Sequence, residues 1–220
     1  PRLPDLQRKP DGLRHPLTSM FLDTLVSTPH LYSLYMGYAD GDFYQAIAIP
    51  DLESARAGLG SPEGARFALR GIRGEGPERV ETWSFLDASR NTLAVRTRPA
   101  PTYDLRQRTW YRQAIKSDRV IKTNIYVYAS LNAPGTTLAR SFGGRTPAGV
   151  FGVDVTLDSV CAFLREQQVG RNGQVIVFAA DGQVTGHPDP QRVTRTILDR
   201  SGKPHVLPAT VGDLGDPVLD

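Results

Sequence analysis

Apolar residues change their spacing several times along the chain, and each spacing predicts an element. In PLTSMFLDTLVST, residues 16–28, Leu17, Met20, Phe21 and Leu25 fall near a 3.6-residue period and predict a helix. LYSLYMGYADGDFYQAIAIP offers two strand-like runs on either side of Asp40-Gly41, the pattern of a hairpin. DLESARAGLGSPEGA predicts a short helix and a loop. FALRGIR, RVETWSFLD and TLAVRTR predict three strands, with GEGPE and DASRN as the turns between them. After PAPTYDLRQ, the run RTWYRQAIKS reads as helical, and IKTNIYVYAS, TTLARSFGG and GVFGVDV predict further strands. TLDSVCAFLREQQ is a helix that Thr156 can cap, with Leu157, Val160, Cys161 and Leu164 on one face. QVIVFAA and QVTGHP then predict two strands around Asp181-Gly182, and the tail from Asp189 is turn-rich and weakly patterned.

Strands in hairpin-like succession with helices between groups of them define an α+β fold with antiparallel sheets. The helix near residues 156–168 closes one β-rich unit and opens another, so a boundary is expected near Val155. The division is then an N-terminal helix or stalk over 1–29, a larger unit over 30–155 and a shorter unit over 156–220. The opening PRLPDLQRKPDG and the closing GDLGDPVLD carry no terminal signal, which suits a piece of a longer chain.

Charge removes some functions. Lys and Arg number 26 against 23 acidic residues, and they are scattered, so the basic stripe of a nucleic-acid binder is missing. Cys161 is the only cysteine; it can form no internal disulfide and no cysteine metal site, and its helical face makes it a small buried hydrophobe. His15, His30, His187 and His205 are far apart, without metal-ligand spacing, and are expected in loops or at the surface. No nucleophile elbow, zinc-protease helix or P-loop is present, and GLGSPEG at 58–64 follows no clear strand. Neither a catalytic residue, a cofactor nor a metal is expected.

One stretch is unusual: YDLRQRTWYRQA, residues 103–114. If a helix begins about Thr109, Arg108 stands in its approach, beside the positive helix end, where a guanidinium fork and the Trp110 indole N–H suit a carboxylate. The opposite charge lies in GVFGVDV, where Gly152 and Asp154 share the strand face opposite Phe151, Val153 and Val155. Gly152 leaves room for something to approach. Tyr126 and Tyr128 share a face of their own strand. Two readings stand at this point: a socket for a small zwitterion, and an internal Arg108–Asp154 brace among packed aromatics.

These residues resemble a known family. YDLRQRTWYRQA is similar to the Y-D-P-R-x-R-P-W-Y-x-x-A signature of double Cache (dCache) sensor domains. GVFGVDVTLDSVCAFL resembles their G-V-x-G-x-D-I-x-L-x-x-L-x-x-F-L segment, and GRNGQVIVFAADGQVTGHPD the strand–turn–strand of their membrane-proximal module. The match runs from about residue 16 to 215, and MGYADGDFYQAI with RVETWSFLD is similar to sensor regions of bacterial adenylate/guanylate cyclases. The resemblance implies two PAS-like antiparallel modules and a long N-terminal helix, on the periplasmic or extracellular face of the membrane. It implies a membrane-anchored receptor that works as a homodimer. It also implies that Arg108 and Trp110, with Tyr103, hold an amino acid's carboxylate, and that Tyr126 and Asp154, with Tyr111, hold its ammonium. Two signature prolines are replaced by Leu105 and Thr109, and Thr109 is expected to cap the helix instead. The alternatives are an amine or organic acid as ligand, a ligand-free dimerisation module, and a secreted hydrolase.

Overall fold

The computed structural model describes residues 9, 13, 15–49, 53–99, 101–128, 134–167, 169–170, 173–198, 202 and 204–215. Its order is α1 (Pro16–Ser27), β1 (Ser33–Tyr38), β2 (Phe43–Ala48), α2 (Glu53–Leu59), β3 (Phe67–Arg73), β4 (Val80–Leu86) and β5 (Thr92–Pro99). Then come α3 (Thr109–Ala114), β6 (Ile121–Lys122), β7 (Tyr126–Val127), β8 (Pro134–Phe142), β9 (Gly149–Thr156) and α4 (Leu157–Glu166). Two hairpins close the chain, β10 (Val177–Phe178) with β11 (Val184–Gly186) and β12 (Thr194–Leu198) with β13 (Pro204–Pro208). The class is α+β, as the pattern predicts. Of the N-terminal stalk, residues 1–8, 10–12 and 14 lie outside the described residues.

The main sheet is antiparallel, in the order β5-β4-β3-β2-β1-β9-β8-β6, with β7 also on β8. Asp40-Gly41 makes the β1–β2 turn, and Gly41 takes φ +95°, a region glycine enters without a Cβ penalty. The sheet has two unlike faces because successive side chains alternate. Leu34, Met36, Tyr44, Ala46 and Leu69 form the apolar face, and α1 lies on it through Leu17, Phe21, Leu22 and Leu25. Full burial of a side chain such as Phe21 stabilises by roughly 1.5–3 kcal/mol. Pro16 opens α1 at a position that needs no N–H, and the His15 Nδ1 accepts from the Leu17 N–H at 3.2 Å. His15 is therefore a buried cap. His187 is also buried, its Nδ1 accepting from the Asp189 N–H at 2.8 Å. Both lie outside helices and strands, as expected, but they are buried and not at the surface, because each ring satisfies a local backbone donor and is then covered.

Two other expectations change. The strand expected over IKTNIYVYAS is two short pieces, β6 and β7, because Thr123 between them pairs with Thr137 through its own side chain; the Thr123 Oγ1 accepts from the Thr137 N–H at 3.0 Å. Residues 129–133 lie outside the described residues. The tail after Asp189 is more regular than its pattern suggests. Asp189 caps a 3-10 turn over Pro190–Arg192, and β12 pairs with β13. The side chains of β12 are mostly exposed, so no apolar alternation marks it.

Helix α4 starts where expected: the Thr156 Oγ1 accepts from the Ser159 N–H at 3.1 Å. Leu157, Cys161 and Leu164 are buried, and Leu157 and Cys161 join Val184, Val193 and Leu214 in one cluster. Thr156→Ala should cost about 1 kcal/mol through the lost cap, lowering the melting temperature by about 2–4 °C for a chain of this size. A thermal melt unchanged by the substitution would show that the cap is idle.

Candidate functional site

The second face of the sheet carries the polar residues. Register places Gly152, Tyr35, Gln45, Arg70, Trp83 and Arg96 side by side on β9, β1, β2, β3, β4 and β5. One step along the strands, Thr137, Asp154 and Ser33 form a second row on β8, β9 and β1. Residues 103–114 fold over these rows. The Asp104 carboxylate accepts from the Arg106 N–H at 2.9 Å and turns the chain into a 3-10 turn over Leu105–Gln107. Leu105, Trp110, Tyr111 and Ala114 are buried against Tyr35, Phe43, Ile72 and Val150. A Cβ on Gly37 would stand 3.0 Å from both Leu105 and Trp110, so the glycine permits their close approach. Leu105 thus anchors the turn where a proline would have stiffened it. Helix α3 begins at Thr109 but Arg108, not Thr109, is its cap residue, and it makes no side-chain capping bond. With six residues α3 is too short for its end to carry the charge; the guanidinium must.

Five of the six expected residues, Tyr103, Arg108, Trp110, Tyr126 and Asp154, line one cavity of about 30 Å³. Tyr128, Tyr35, Gln45 and Arg70 line it too. Tyr111 does not. Residues 110 and 111 point to different sides of α3, and the Tyr111 ring lies against Gly37, edge-on to Trp110. Tyr126 and Tyr128 both face the cavity, their rings edge-to-face at 5.2 Å, but their hydroxyls differ in use. That of Tyr128 faces the backbone carbonyls of Thr136 and Val155, while that of Tyr126 reaches the Thr137 Oγ1 at 2.7 Å.

Asp154 is buried, and among the described residues every hydrogen bond it accepts from a side chain comes from a neutral hydroxyl. Thr137 and Tyr35 donate to Oδ1 at 2.6 and 2.8 Å, and Ser33 donates to Oδ2 at 3.0 Å. Removal from water dominates these bonds and pushes the carboxyl up to about 6. Gln45, also buried, donates from Nε2 to the Ser33 Oγ at 3.0 Å; its Oε1 has no partner among the described residues. No cation lies within ion-pair distance of Asp154 among the described residues. Arg108 is half-buried, about 6 Å from the Tyr103 and Tyr126 ring centres, and makes no ion pair among the described residues. The direct Arg108–Asp154 brace is absent. Arg70 has that role instead: it donates from Nε to the Glu81 Oε1 at 2.7 Å and stacks 4.4 Å from the Tyr103 ring centre. Burial raises Tyr103, Tyr126 and Tyr128, so their hydroxyls stay protonated donors.

The space that Gly152 leaves is already filled. A Cβ there would meet the Tyr35 ring at 2.2 Å. The glycine admits the tyrosine that holds Asp154, and not a ligand. Sequence reasoning missed Tyr35, Phe43, Gln45 and Arg70, which sit in β1, β2 and β3, read as plain β-structure; only strand register brings them to the cavity.

The chemistry of this cavity is two-ended. A cation needs an acceptor, and Asp154 and Gln45 provide two. An anion needs a donor fork, and Arg108 provides one. Comparison with known proteins bears on the class. No protein-family model matches the chain. It is 30% identical over 179 residues to Adenylate cyclase 1 of Rhizobium meliloti, spanning 80% of this chain and 26% of that protein. It is 34% identical over 101 residues to the methyl-accepting chemotaxis protein PscA of Pseudomonas syringae, 46% of this chain and 16% of that one. Among solved structures it resembles the ligand-binding domain of the Campylobacter jejuni chemoreceptor Tlp3 in complex with 4-methylisoleucine. That likeness has a TM-score of 0.49 and 13% identity, over 89% of this chain and 58% of that one. The chain thus spans about a quarter or less of its curated relatives. They are an adenylate cyclase, the signalling class to which the double Cache resemblance points, and a chemotaxis protein.

Proposed function

We propose that this chain is the extracytoplasmic sensor of a transmembrane signalling receptor, with a nucleotide cyclase as its output, and that it binds an amino acid. One observation carries the ligand reading. Among the described residues, Asp154 is a buried carboxylate without a cation at ion-pair distance, and Arg108 is a guanidinium without an anion, around the same cavity. A buried charge left unpaired is costly. A zwitterion supplies both partners at once: its carboxylate meets Arg108 and the Trp110 N–H, and its ammonium meets Asp154 and the Gln45 Oε1. The rings of Tyr103 and Tyr126 wall the space between. Residues 30–155 then form the ligand-binding module, and 156–220 a membrane-proximal one that relays the change, with the full receptor a homodimer. The cavity holds only about two waters' worth of space. Ligand entry must therefore open it, and a ligand that favours the opened arrangement is what shifts a receptor between states.

The proton economy of Asp154 tests this reading. Ammonium binds the ionised carboxylate, so binding pulls its pKa down and expels a proton wherever the free group is protonated. Affinity should hold steady above pH 6 and fall by about tenfold per pH unit below it. The empty fold behaves oppositely. Its Asp154 is raised above the unfolded value of 3.8, so the folded state takes up the proton, and the group's contribution to stability improves as pH falls from 6 toward 3.8. Calorimetric titration of L-amino acids at pH 5 and pH 7, beside melts of the empty domain, reads both signs. Asp154→Asn should remove the pH dependence and weaken binding. Binding that is equally tight at both pH values would rule Asp154 out as the ammonium partner.

A further inference from the structure

Next to the small cavity lies a larger one, of about 200 Å³, on the same face of the sheet. Arg70 lines both and forms the wall between them. The larger chamber is bordered by Arg70, Glu81, Trp83, Arg96 and Arg98 on β3, β4 and β5. Three guanidinium groups there face one carboxylate, and that carboxylate is engaged: Arg70 Nε and Nη2 both stand 2.7 Å from the same Glu81 oxygen. Among the described residues, Arg98, which stands opposite Glu81 in the strand register, makes no ion pair. Arg96 is held over the Phe85 ring at 5.0 Å, and its Nη1 donates to the Gly60 carbonyl. The chamber therefore carries an excess of positive charge.

Direction matters as much as charge. The site runs along one row of the sheet. Gln45 stands one strand from Arg70, about 5 Å away, and Arg96 two strands further. An amino acid anchored at Asp154, Gln45 and Arg108 has no room for a side chain in the 30 Å³ cavity. Past Arg70, the chamber of about 200 Å³ is the adjoining space that its side chain would enter. The geometry points to an amino acid with an anionic side chain, of glutamate length, as the ligand class. Its side-chain carboxylate would meet Arg70 and, from the far wall, Arg96 and Arg98. Arg70 is well suited to the contact. Its guanidinium has further N–H donors beyond the two spent on Glu81, and stacking on Tyr103 and Trp83 holds its plane. A lysine-like side chain would instead meet three like charges, and an apolar one would strand them in a drier site.

This inference rests on the amino-acid reading above, and its test separates the two. The probes are L-glutamate, L-glutamine, L-lysine and L-alanine, titrated calorimetrically into the domain at pH 7 in low and in 0.5 M salt. L-Glutamate should bind at least about tenfold more tightly than L-glutamine, which has the same shape without the charge, and more tightly still than L-lysine. The glutamate-to-glutamine ratio should shrink at high salt, since Arg96 and Arg98 are exposed. Arg98→Gln and Arg96→Gln should each lower that ratio, and the double variant should bring it near one, with melts confirming that each variant is folded. Binding of glutamine, alanine or lysine as tight as glutamate would overturn the side-chain assignment while leaving the amino-acid reading intact. A ratio unmoved in the double variant would show that the chamber does not read the side chain. Failure of all four probes to bind would remove the amino-acid reading and this inference with it.

Discussion

Arg108→Ala should weaken amino-acid binding by roughly 30-fold or more while the empty domain melts almost unchanged. The guanidinium is half-buried and makes no ion pair among the described residues, so the fold loses little when it goes. The ligand would lose the guanidinium assigned to its carboxylate end. Truncating one side of a buried charge pair typically costs about 2–5 kcal/mol, and each ~1.4 kcal/mol is tenfold in affinity. Arg108→Lys should recover only part of the loss, because an ammonium is a point charge and cannot present two parallel N–H groups to two oxygens. Calorimetry gives the affinities and a thermal melt gives the control. A variant that melts many degrees lower yet binds as well as the parent would make Arg108 a structural residue and end its assignment to the carboxylate.

Gly152→Ala should destabilise the domain strongly for so small a change. The added Cβ would stand 2.2 Å from Cε2 and 2.5 Å from Cζ of Tyr35. That ring has little freedom. It is 2% exposed, hydrogen-bonded through its hydroxyl to Asp154 at 2.8 Å, and packed edge-on against Trp110 at 4.8 Å. Over-packing of this kind costs typically about 1–3 kcal/mol, and the top of that range corresponds to roughly 6–12 °C in melting temperature here. Binding should fall as well, since displacing Tyr35 disturbs both Asp154 and Trp110. A double-mutant cycle isolates the cause. In a Tyr35→Ala background the methyl has space, so the added penalty of Gly152→Ala should largely vanish. If Gly152→Ala costs the same in both backgrounds, the collision with Tyr35 is not the reason for the glycine.

Much of the fold was legible because local chemistry and global arrangement agree. Thr156 stands where α4 needs a cap, Asp40-Gly41 where β1 must turn into β2, and Leu17, Phe21 and Leu25 on one stripe of α1. The charged ends of the site were legible for a similar reason. Arginine beside tryptophan and an aspartate in an apolar strand are local oddities that a linear reading detects. Their opposition around one cavity, and the absence of a direct bond between them, required coordinates.

What the linear chain by itself determined are the features whose cause lies within a few residues: element type from periodicity, turns from glycine and aspartate, caps, and the chemical character of 103–114. Everything that depends on strand register was decided by tertiary structure. β1 pairs with β9 across more than a hundred residues, and only that pairing sets Tyr35 against Gly152 and Ser33 against Asp154. It turns Gly152 from an opening for a ligand into the seat of a tyrosine ring, while the β1–β2 register sets Gln45 beside Tyr35 as a buried acceptor facing the cavity. Tyr111 follows the same rule. Its place beside Trp110 in the chain suggests a shared task, but successive helix positions diverge by about 100°, and Trp110 lines the cavity while Tyr111 does not. A side chain's neighbours along the chain fix its local conformation; its neighbours across the sheet fix its chemistry, and those are set by the register in which the strands pair.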